Sequence, residues 1–259
     1  MCKFMYKTVF TAFLAASIIL PSGCKDIADF YDSPDLELSQ IRETANFIFR
    51  HSEGDFVQAD RLEAYHDWAG ALLNVQPPKK IDYFKYRDRA QQIRMTGSYA
   101  SGFADTLNLE IHTAEQWIPH EAAHIFFSLI GTAPTFFNEG AATAMQTDPY
   151  NSDFVPRDKS GVPIHSIART YLAEGRLYRV EDILGSQAFL ESDFTVSYIQ
   201  AGSYVRFLMD IYGIESLKYL FRSLNAGDYP DTMKTVFQAV YGKSISEAEA
   251  EWLAFLNTL

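Results

Sequence analysis

Apolar residues recur every three or four positions along most of the chain, which is the spacing of amphipathic helices. In the N-terminal part this spacing predicts helices over residues 39–51 and 59–74, with Asp60 placed to cap the second. The small residues at 201–202 predict close packing of a later helix against another element. The later helices are predicted over residues 119–130, from about 138, 164–174, 195–212, 215–224, 231–241 and 246–259, the last opened by a capping box of Ser246 and Glu249.

Two shorter segments alternate between apolar and polar residues, as strands with one buried face do. They are residues 80–86 and 107–112, with a short helix predicted over 87–95 and a loop over 97–102 between them. The second strand is expected at or near the edge of its sheet. There it either packs or pairs with an extended peptide through main-chain hydrogen bonds.

These elements predict an α+β protein that is mostly helical. A small mixed sheet is expected ahead of the helix at 119–130, and a helical bundle over 164–259. Within this fold we expect an N-terminal region over 39–104 and a main domain over 105–259. Apolar residues make up 47% of the 259-residue chain, which is enough for a core of this size.

The first residues of the chain have the pattern of a secretion signal. Lys3 and Lys7 give a basic start, and an apolar run follows over residues 9–20. That run is shorter than the roughly 20 apolar residues that span a membrane as a helix. Residues 1–23 are therefore expected to be a cleaved leader.

The end of this leader resembles the lipobox of bacterial lipoproteins. Residues 21–24 read Pro-Ser-Gly-Cys, so Cys24 follows two small residues, although the pattern prefers an aliphatic residue in place of Pro21. The resemblance implies that a lipidated Cys24 anchors the chain on the periplasmic or cell-surface side of a membrane, through a tether over 24–38. The alternative is an ordinary signal peptide in which Cys24 falls at this place by chance.

Charge and cysteine content narrow the possible functions. The net charge of −11 argues against a nucleic-acid partner, since phosphate binding needs clustered Lys and Arg. Cys2 and Cys24 are the only cysteines, and both precede the predicted folded part. A disulfide framework and a cysteine-ligated zinc site are therefore excluded for that part.

Residues 120–124 read His-Glu-x-x-His on one of the predicted helices. Histidines four positions apart project from the same helix face, so the rings of His120 and His124 can converge on one metal ion. Glu121 is placed beside them, where it can act as a general base on a water molecule held by that ion. The motif predicts a hydrolase with one Zn²⁺ per chain.

A zinc hydrolase site needs a third protein ligand and an open position for water. Glu139 is the expected third ligand, because it lies fifteen residues after His124 on the next predicted helix, in the sequence Asn-Glu-Gly. His165 and Asp148 stay open as alternatives. The extended motif with a third histidine is excluded, because Phe and Ile stand where glycine and histidine would be needed.

Together, the two motifs resemble those of the gluzincin metallopeptidases, the thermolysin and aminopeptidase N type. The bacterial peptidase-MA-like proteins are more similar still. They follow their Glu ligand with a helix of the form Tyr-x-x-Ala-Gly-Ser-aromatic-Val-x-x-Leu, which residues 198–208 match. The resemblance covers about residues 105–258. It implies a zincin-like domain that cleaves peptides or proteins with Zn²⁺ held by His120, His124 and Glu139.

The same resemblance implies roles for the residues around the metal. Glu121 would accept the proton of the attacking water and pass it to the leaving amine. Tyr198 is expected to stabilise the oxyanion, with Tyr204 as the alternative. In one respect the chain departs from the thermolysin pattern, which has an Asp four residues after the Glu ligand to orient a histidine. This chain has Thr143 there.

Three functions fit these observations. The first is a zinc metallopeptidase tethered in the cell envelope. The second is a non-catalytic, zinc-binding envelope lipoprotein that keeps the peptidase fold, and the third is a zinc hydrolase of cell-wall peptides. Glu121 favours an enzyme, because binding alone needs no general base.

Overall fold

The structure is a computed structural model that describes residues 37–151 and 153–259. The predicted leader over 1–23, the predicted lipidation site Cys24 and all but the last two residues of the predicted tether over 24–38 lie outside the described residues. The α+β fold class is confirmed, with a five-stranded mixed sheet first and mostly helices after it. The predicted region boundaries stay predictions. In the part of the chain that is described, no helix is both long and apolar enough to span a membrane.

One mixed sheet contains all five strands. They are β1 (Gln40–Glu43), β2 (Phe47–His51), β3 (Ile81–Lys85), β4 (Gly102–Asp105) and β5 (Glu110–Thr113). Their order across the sheet is β1-β2-β3-β5-β4. The three central strands run parallel, and each edge strand is antiparallel to its neighbour. Parallel neighbours need long connections, which here contain α1 (Ala59–Leu73) and α2 (Arg89–Thr96).

Helices follow the sheet in chain order. They are α3 (Pro119–Ser128), α4 (Thr135–Ala144), α5 (Ile164–Ala173), α6 (Ser186–Glu191), α7 (Phe194–Tyr212), α8 (Ile214–Ser223), α9 (Pro230–Tyr241) and α10 (Ile245–Leu256). The predicted helices from residue 59 onward are confirmed, with ends within three residues of those predicted. Both predicted caps are wrong. Asp60 lies in the first turn of α1 without capping it, and α10 is opened by a capping box of Ser244 and Glu247 rather than Ser246 and Glu249.

The helix predicted over 39–51 is also wrong, because these residues form strands β1 and β2. The prediction relied on apolar residues at helical spacing, among them Ile41, which is 63% exposed on the edge strand. Phe47 and Phe49 are fully buried and separated by a half-buried Ile48. This alternation covers only the five residues of β2, so the longer helical pattern masked it.

The strand predicted over 107–112 is displaced. Strand β5 begins at Glu110, and Leu107 is 93% exposed in the turn before it. Asp105 forms that turn by accepting hydrogen bonds from the backbone N–H groups of Leu107 and Asn108. Strand β4 begins at residue 102, the end of the predicted loop over 97–102. It pairs with the outer edge of β5 in antiparallel orientation. Strand β5 is near the edge as predicted, but β4 is the edge strand itself.

A very close contact joins α4 to α7. A Cβ atom at Gly202 would lie 2.3 Å from Cγ2 of Thr143, so the two helices approach this closely only because residue 202 is glycine. On the other helix, a Cβ atom at Gly140 would lie 2.9 Å from the backbone oxygen of Ala201. The close packing predicted at 201–202 is confirmed. It fixes Glu139, the neighbour of Gly140, against the helix that carries the predicted oxyanion tyrosine.

Candidate metal centre

Helix α3 presents two histidines on one face because its opposite face is in the core. Pro119 occupies the first turn, where its missing N–H leaves no hydrogen bond unmade. The fully buried residues of the helix include Ala122, Ala123, Ile125 and Phe126. His120 and His124 lie one turn apart on the remaining face, with ring centroids separated by 4.9 Å. Their convergence follows from the four-residue spacing.

Helix α4 returns towards α3 and places Glu139 opposite the two histidines. Oε2 of Glu139 lies 3.1 Å from Nε2 of His120 and 3.5 Å from Nε2 of His124. One ligand atom from each of the three residues lies within 4.8 Å of the others, so the three form a group that could hold a metal ion. The structure thus brings together the three predicted ligands.

The donor set and its spacing fit zinc. Bonds of about 2.0–2.1 Å in a tetrahedral arrangement place ligand atoms roughly 3.3–3.4 Å apart. The two separations measured from Glu139 lie on either side of that value. The three side chains are between 11% and 18% exposed, so solvent reaches the group. An open position for water is compatible with this exposure.

The histidines and Glu139 shift one another's pKa values. Burial lowers the pKa of His124, but hydrogen bonding to Glu139 and the charges of Glu139 and Glu121 outweigh it and raise the pKa to about 9. Burial raises the pKa of the Glu139 carboxyl, but the hydrogen bonds and charges of His120 and His124 hold it well below its usual range. Glu139 is therefore a carboxylate at neutral pH, as a metal ligand must be.

Glu121 lies between the metal group and the sheet. It is 7% exposed, and it adjoins the first residue of strand β4. A Cβ atom at Gly102 would lie 3.1 Å from Cγ and 3.3 Å from Oε1 of Glu121. The edge strand therefore borders the predicted general base directly. The catalytic role of Glu121 stays a prediction.

The two tyrosines considered for the oxyanion role occupy different places. The ring of Tyr198 lies 6.2 Å from that of His120, centroid to centroid. Burial raises the pKa of Tyr198 well above its usual range, and the charges of Glu139 and Glu121 add to the increase. Tyr204 is fully buried, and its hydroxyl donates to the backbone oxygen of Ile245 instead. Of the two, Tyr198 is the one beside the metal group.

The alternative ligands lie in other contacts. Asp148 forms an ion pair with Arg61. Nδ1 of His165 is 2.8 Å from Oγ of Ser203, and burial lowers the pKa of His165 to about 4. In the described part of the chain, neither residue joins a group of His, Cys, Asp or Glu that could hold a metal.

One residue at the centre was not predicted. Oε1 of Gln146 lies 3.3 Å from Nδ1 of His120, on the side of the ring away from Glu139. Gln146 follows Glu139 by seven residues, which is two helical turns, so this spacing could have placed both on one side. Thr143, the position at which the thermolysin pattern has Asp, is buried against Gly202 instead.

Comparison with known proteins returns no match to the chain, either among protein-family models or among curated proteins. The only support for the candidate metal centre is therefore the geometry of His120, His124 and Glu139. The resemblance to gluzincins, which is carried by the two metal motifs and residues 198–208, stays a prediction.

Proposed function

We propose that the protein is a zinc-dependent peptidase of the gluzincin type. The observation that supports this most is the convergence of His120, His124 and Glu139 at distances suited to one metal ion. Two imidazoles and one carboxylate, with solvent access for a fourth position, are a typical ligand set of catalytic zinc. Glu121 beside this group favours hydrolysis over metal storage, since storage needs no general base.

Zn²⁺ held by these side chains would lower the pKa of water and polarise a substrate carbonyl. Glu121 accepts a proton from the attacking water and delivers it to the departing amine. Its position, 7% exposed, shields it from bulk solvent and strengthens its electrostatic interactions. Tyr198, whose raised pKa keeps its hydroxyl protonated, donates a hydrogen bond to the oxygen on which negative charge develops.

The proposed substrate is an extended peptide or a flexible segment of a protein. Strand β4 is an edge strand among the residues that the structure describes, and Gly102 at its start adjoins Glu121. An edge strand can hold an extended peptide through main-chain hydrogen bonds. A peptide paired with β4 would run past the general base. Strand β5 is not available for this, because β4 covers it.

We also propose that the enzyme acts in the bacterial cell envelope, anchored through a lipidated Cys24. The support is the apolar leader and the lipobox-like residues 21–24. Labelling cells with a fatty-acid analogue should label the chain, and Cys24→Ala should abolish the label and release the chain from membranes. An unlabelled wild-type chain would contradict the anchor without affecting the proposed chemistry.

The central test compares the full chain with its Glu121→Gln variant. Metal analysis should give one zinc per chain for both, because Glu121 is not a ligand. Cleavage of a peptide library should fall by about 10²–10⁴-fold in the variant, the usual contribution of a general base. Glu53→Gln, at an exposed position away from the metal group, is a matched control and should cleave normally.

The outcomes separate the candidate functions. Zinc without cleavage in the wild-type chain would favour the non-catalytic lipoprotein. Cleavage confined to cell-wall peptides would favour the zinc hydrolase of cell-wall peptides. A chain that binds no zinc and is unchanged by His120→Ala would overturn the metal centre itself.

A further inference from the structure

We propose that Gln146 positions His120 for metal binding, in place of the carboxylate that the thermolysin pattern supplies. Oε1 of Gln146 accepts a hydrogen bond from Nδ1–H of His120, which leaves the lone pair on Nε2 for the metal. This inference rests on the proposed metal centre. It assigns the orientation of one ligand to a neutral amide outside the ligand set.

The orientation of the amide follows from its other contact. Nε2 of Gln146 donates a hydrogen bond of 2.6 Å to the backbone oxygen of Arg157. A backbone oxygen can only accept, so the NH₂ end of the amide must face Arg157. The carbonyl end must then face His120, where it can only accept. The ring nitrogen opposite it, Nδ1, therefore has to carry hydrogen.

Arg157 is itself held in place in the loop between α4 and α5. Its guanidinium donates to the backbone oxygen of Gly161 at 3.0 Å and to the carboxylate of Asp153 at 2.6 Å. Its backbone forms a β-bridge with Pro163 and donates to the backbone oxygen of Gln146 at 3.4 Å. The amide is thus fixed at both ends, as a residue that orients a ligand needs to be.

Thr143 cannot perform this role. Its side chain is packed against Gly202 on α7, and its hydroxyl is buried without a hydrogen-bond partner among the described residues. Gln146 lies three residues further on, just after the end of α4 at Ala144. In the thermolysin pattern the orienting group is a charged carboxylate at the position of Thr143. In this chain it is a neutral amide three residues later, at Gln146.

Two substitutions separate positioning of His120 from anchoring of the loop. Gln146→Met keeps a similar length but removes both hydrogen bonds of the amide. Gln146→Glu keeps an acceptor for His120 and removes the donor to Arg157. Zinc affinity of the full chain would be measured by competition with a chromophoric chelator, at one pH for all variants. Thermal unfolding followed by circular dichroism would show that each variant is folded.

We expect Gln146→Met to weaken zinc binding by about 10–100-fold, the usual effect of losing a partner of a ligand. We expect Gln146→Glu to bind zinc at least as tightly as the wild-type chain. Equal losses in both variants would mean that Gln146 only anchors the loop, and an unchanged Gln146→Met would mean that it has no role. Either result would overturn this inference alone, whereas a wild-type chain without zinc affinity would overturn the metal centre with it.

Discussion

Histidine side chains lie against carboxylates in two regions of the molecule. Of these two regions, one forms a group that could hold a metal ion and the other does not. In the metal centre, Nε2 of His120 and Nε2 of His124 both face one oxygen of Glu139. In the second region, here called the His112 cluster (His112, Tyr86, Glu110, Phe84 and Phe103), every nitrogen of the histidine has its own partner. Nδ1 of His112 lies 2.8 Å from the Tyr86 hydroxyl, and Nε2 lies 3.2 Å from Oε2 of Glu110.

The ring of His112 is also closed on both faces. Phe84 and Phe103, on the neighbouring strands β3 and β4, stack on it at centroid distances of 4.5 Å and 4.6 Å. Among the residues that the structure describes, no further ligand atom joins His112 and Glu110 to make a group that could hold a metal ion. The difference shows that convergence of three ligand atoms, rather than the presence of histidine and carboxylate alone, makes His120, His124 and Glu139 a group that could hold a metal ion.

The largest effect should come from removing a ligand. His124→Ala is expected to weaken zinc binding by more than about 100-fold, since one of three ligands carries roughly a third of a binding free energy of about 10 kcal/mol or more. His112→Ala should leave zinc affinity unchanged. Chelator competition on the full chain measures both. Similar losses in the two variants would remove the distinction between the regions.

Each region also has a tyrosine hydroxyl. Loss of the hydroxyl near the metal group should affect catalysis, and loss of the one in the His112 cluster should affect stability. Tyr198→Phe is expected to lower kcat by about 100-fold with zinc affinity unchanged, because a single oxyanion donor contributes that much. Tyr86→Phe removes the partner of His112 and should lower the free energy of unfolding by about 1 kcal/mol, with kcat unchanged. Peptide cleavage assays and urea unfolding test the pair, and a normal kcat in Tyr198→Phe would contradict the oxyanion role.

The sequence predicted the three residues of the candidate metal group better than it predicted the sheet. His120, His124 and Glu139 lie on helices whose faces follow from the spacing of apolar residues over ten or more positions. Strands β1 and β4 have four residues each, too few for their alternation to be distinguished from a loop or from part of a helix. The prediction therefore missed the edge strand that borders Glu121.

Gln146 was missed for a different reason. Its role depends on a hydrogen bond to the backbone of Arg157, eleven residues later in an irregular loop. Every residue has a backbone oxygen, so no pattern of residue types predicts which one accepts this hydrogen bond. The helical spacing from Glu139 could have nominated Gln146, but only the fold shows that its amide is held in the required orientation.

The two histidine regions should respond to pH in opposite directions. After chelation of metal, protonated His124 stabilises the fold fully below pH 6.5, its ordinary pKa. That contribution is lost as the pH rises through about 9, because its folded pKa is raised. Burial lowers the pKa of His112, against the charges of Glu110, Asp105 and Asp82. Its neutral form therefore stabilises the fold above pH 6.5, and the contribution is lost as the pH falls.

Urea unfolding of the chelator-treated chain between pH 4.5 and 9.5 would test both halves of this statement. We expect the free energy of unfolding to fall by about 1–3 kcal/mol from pH 6 to pH 9.5, since each unit of pKa shift corresponds to about 1.4 kcal/mol. His124→Gln should flatten this alkaline decrease. His112→Gln should reduce the decrease below pH 6.5 and leave the alkaline one unchanged. If the free energy of unfolding of His124→Gln still falls by the full amount at alkaline pH, titration of His124 is not the cause of that decrease.

The smallest expected decrease in kcat comes from strand β4, where the two regions adjoin. A Cβ atom at Gly102 would lie 2.8 Å from Cδ1 of Ile118 and 3.1 Å from Cγ of Glu121, so the isoleucine must shift and the glutamate must move by a few tenths of an ångström. Gly102→Ala is therefore expected to lower kcat by about three- to tenfold, less than the roughly 100-fold of a 1 Å displacement, without changing zinc affinity. Phe103→Ala uncovers one face of His112 and should lower the free energy of unfolding by about 1–2 kcal/mol with kcat unchanged. If Phe103→Ala instead lowers kcat as Gly102→Ala does, the strand couples the two regions and they do not act independently.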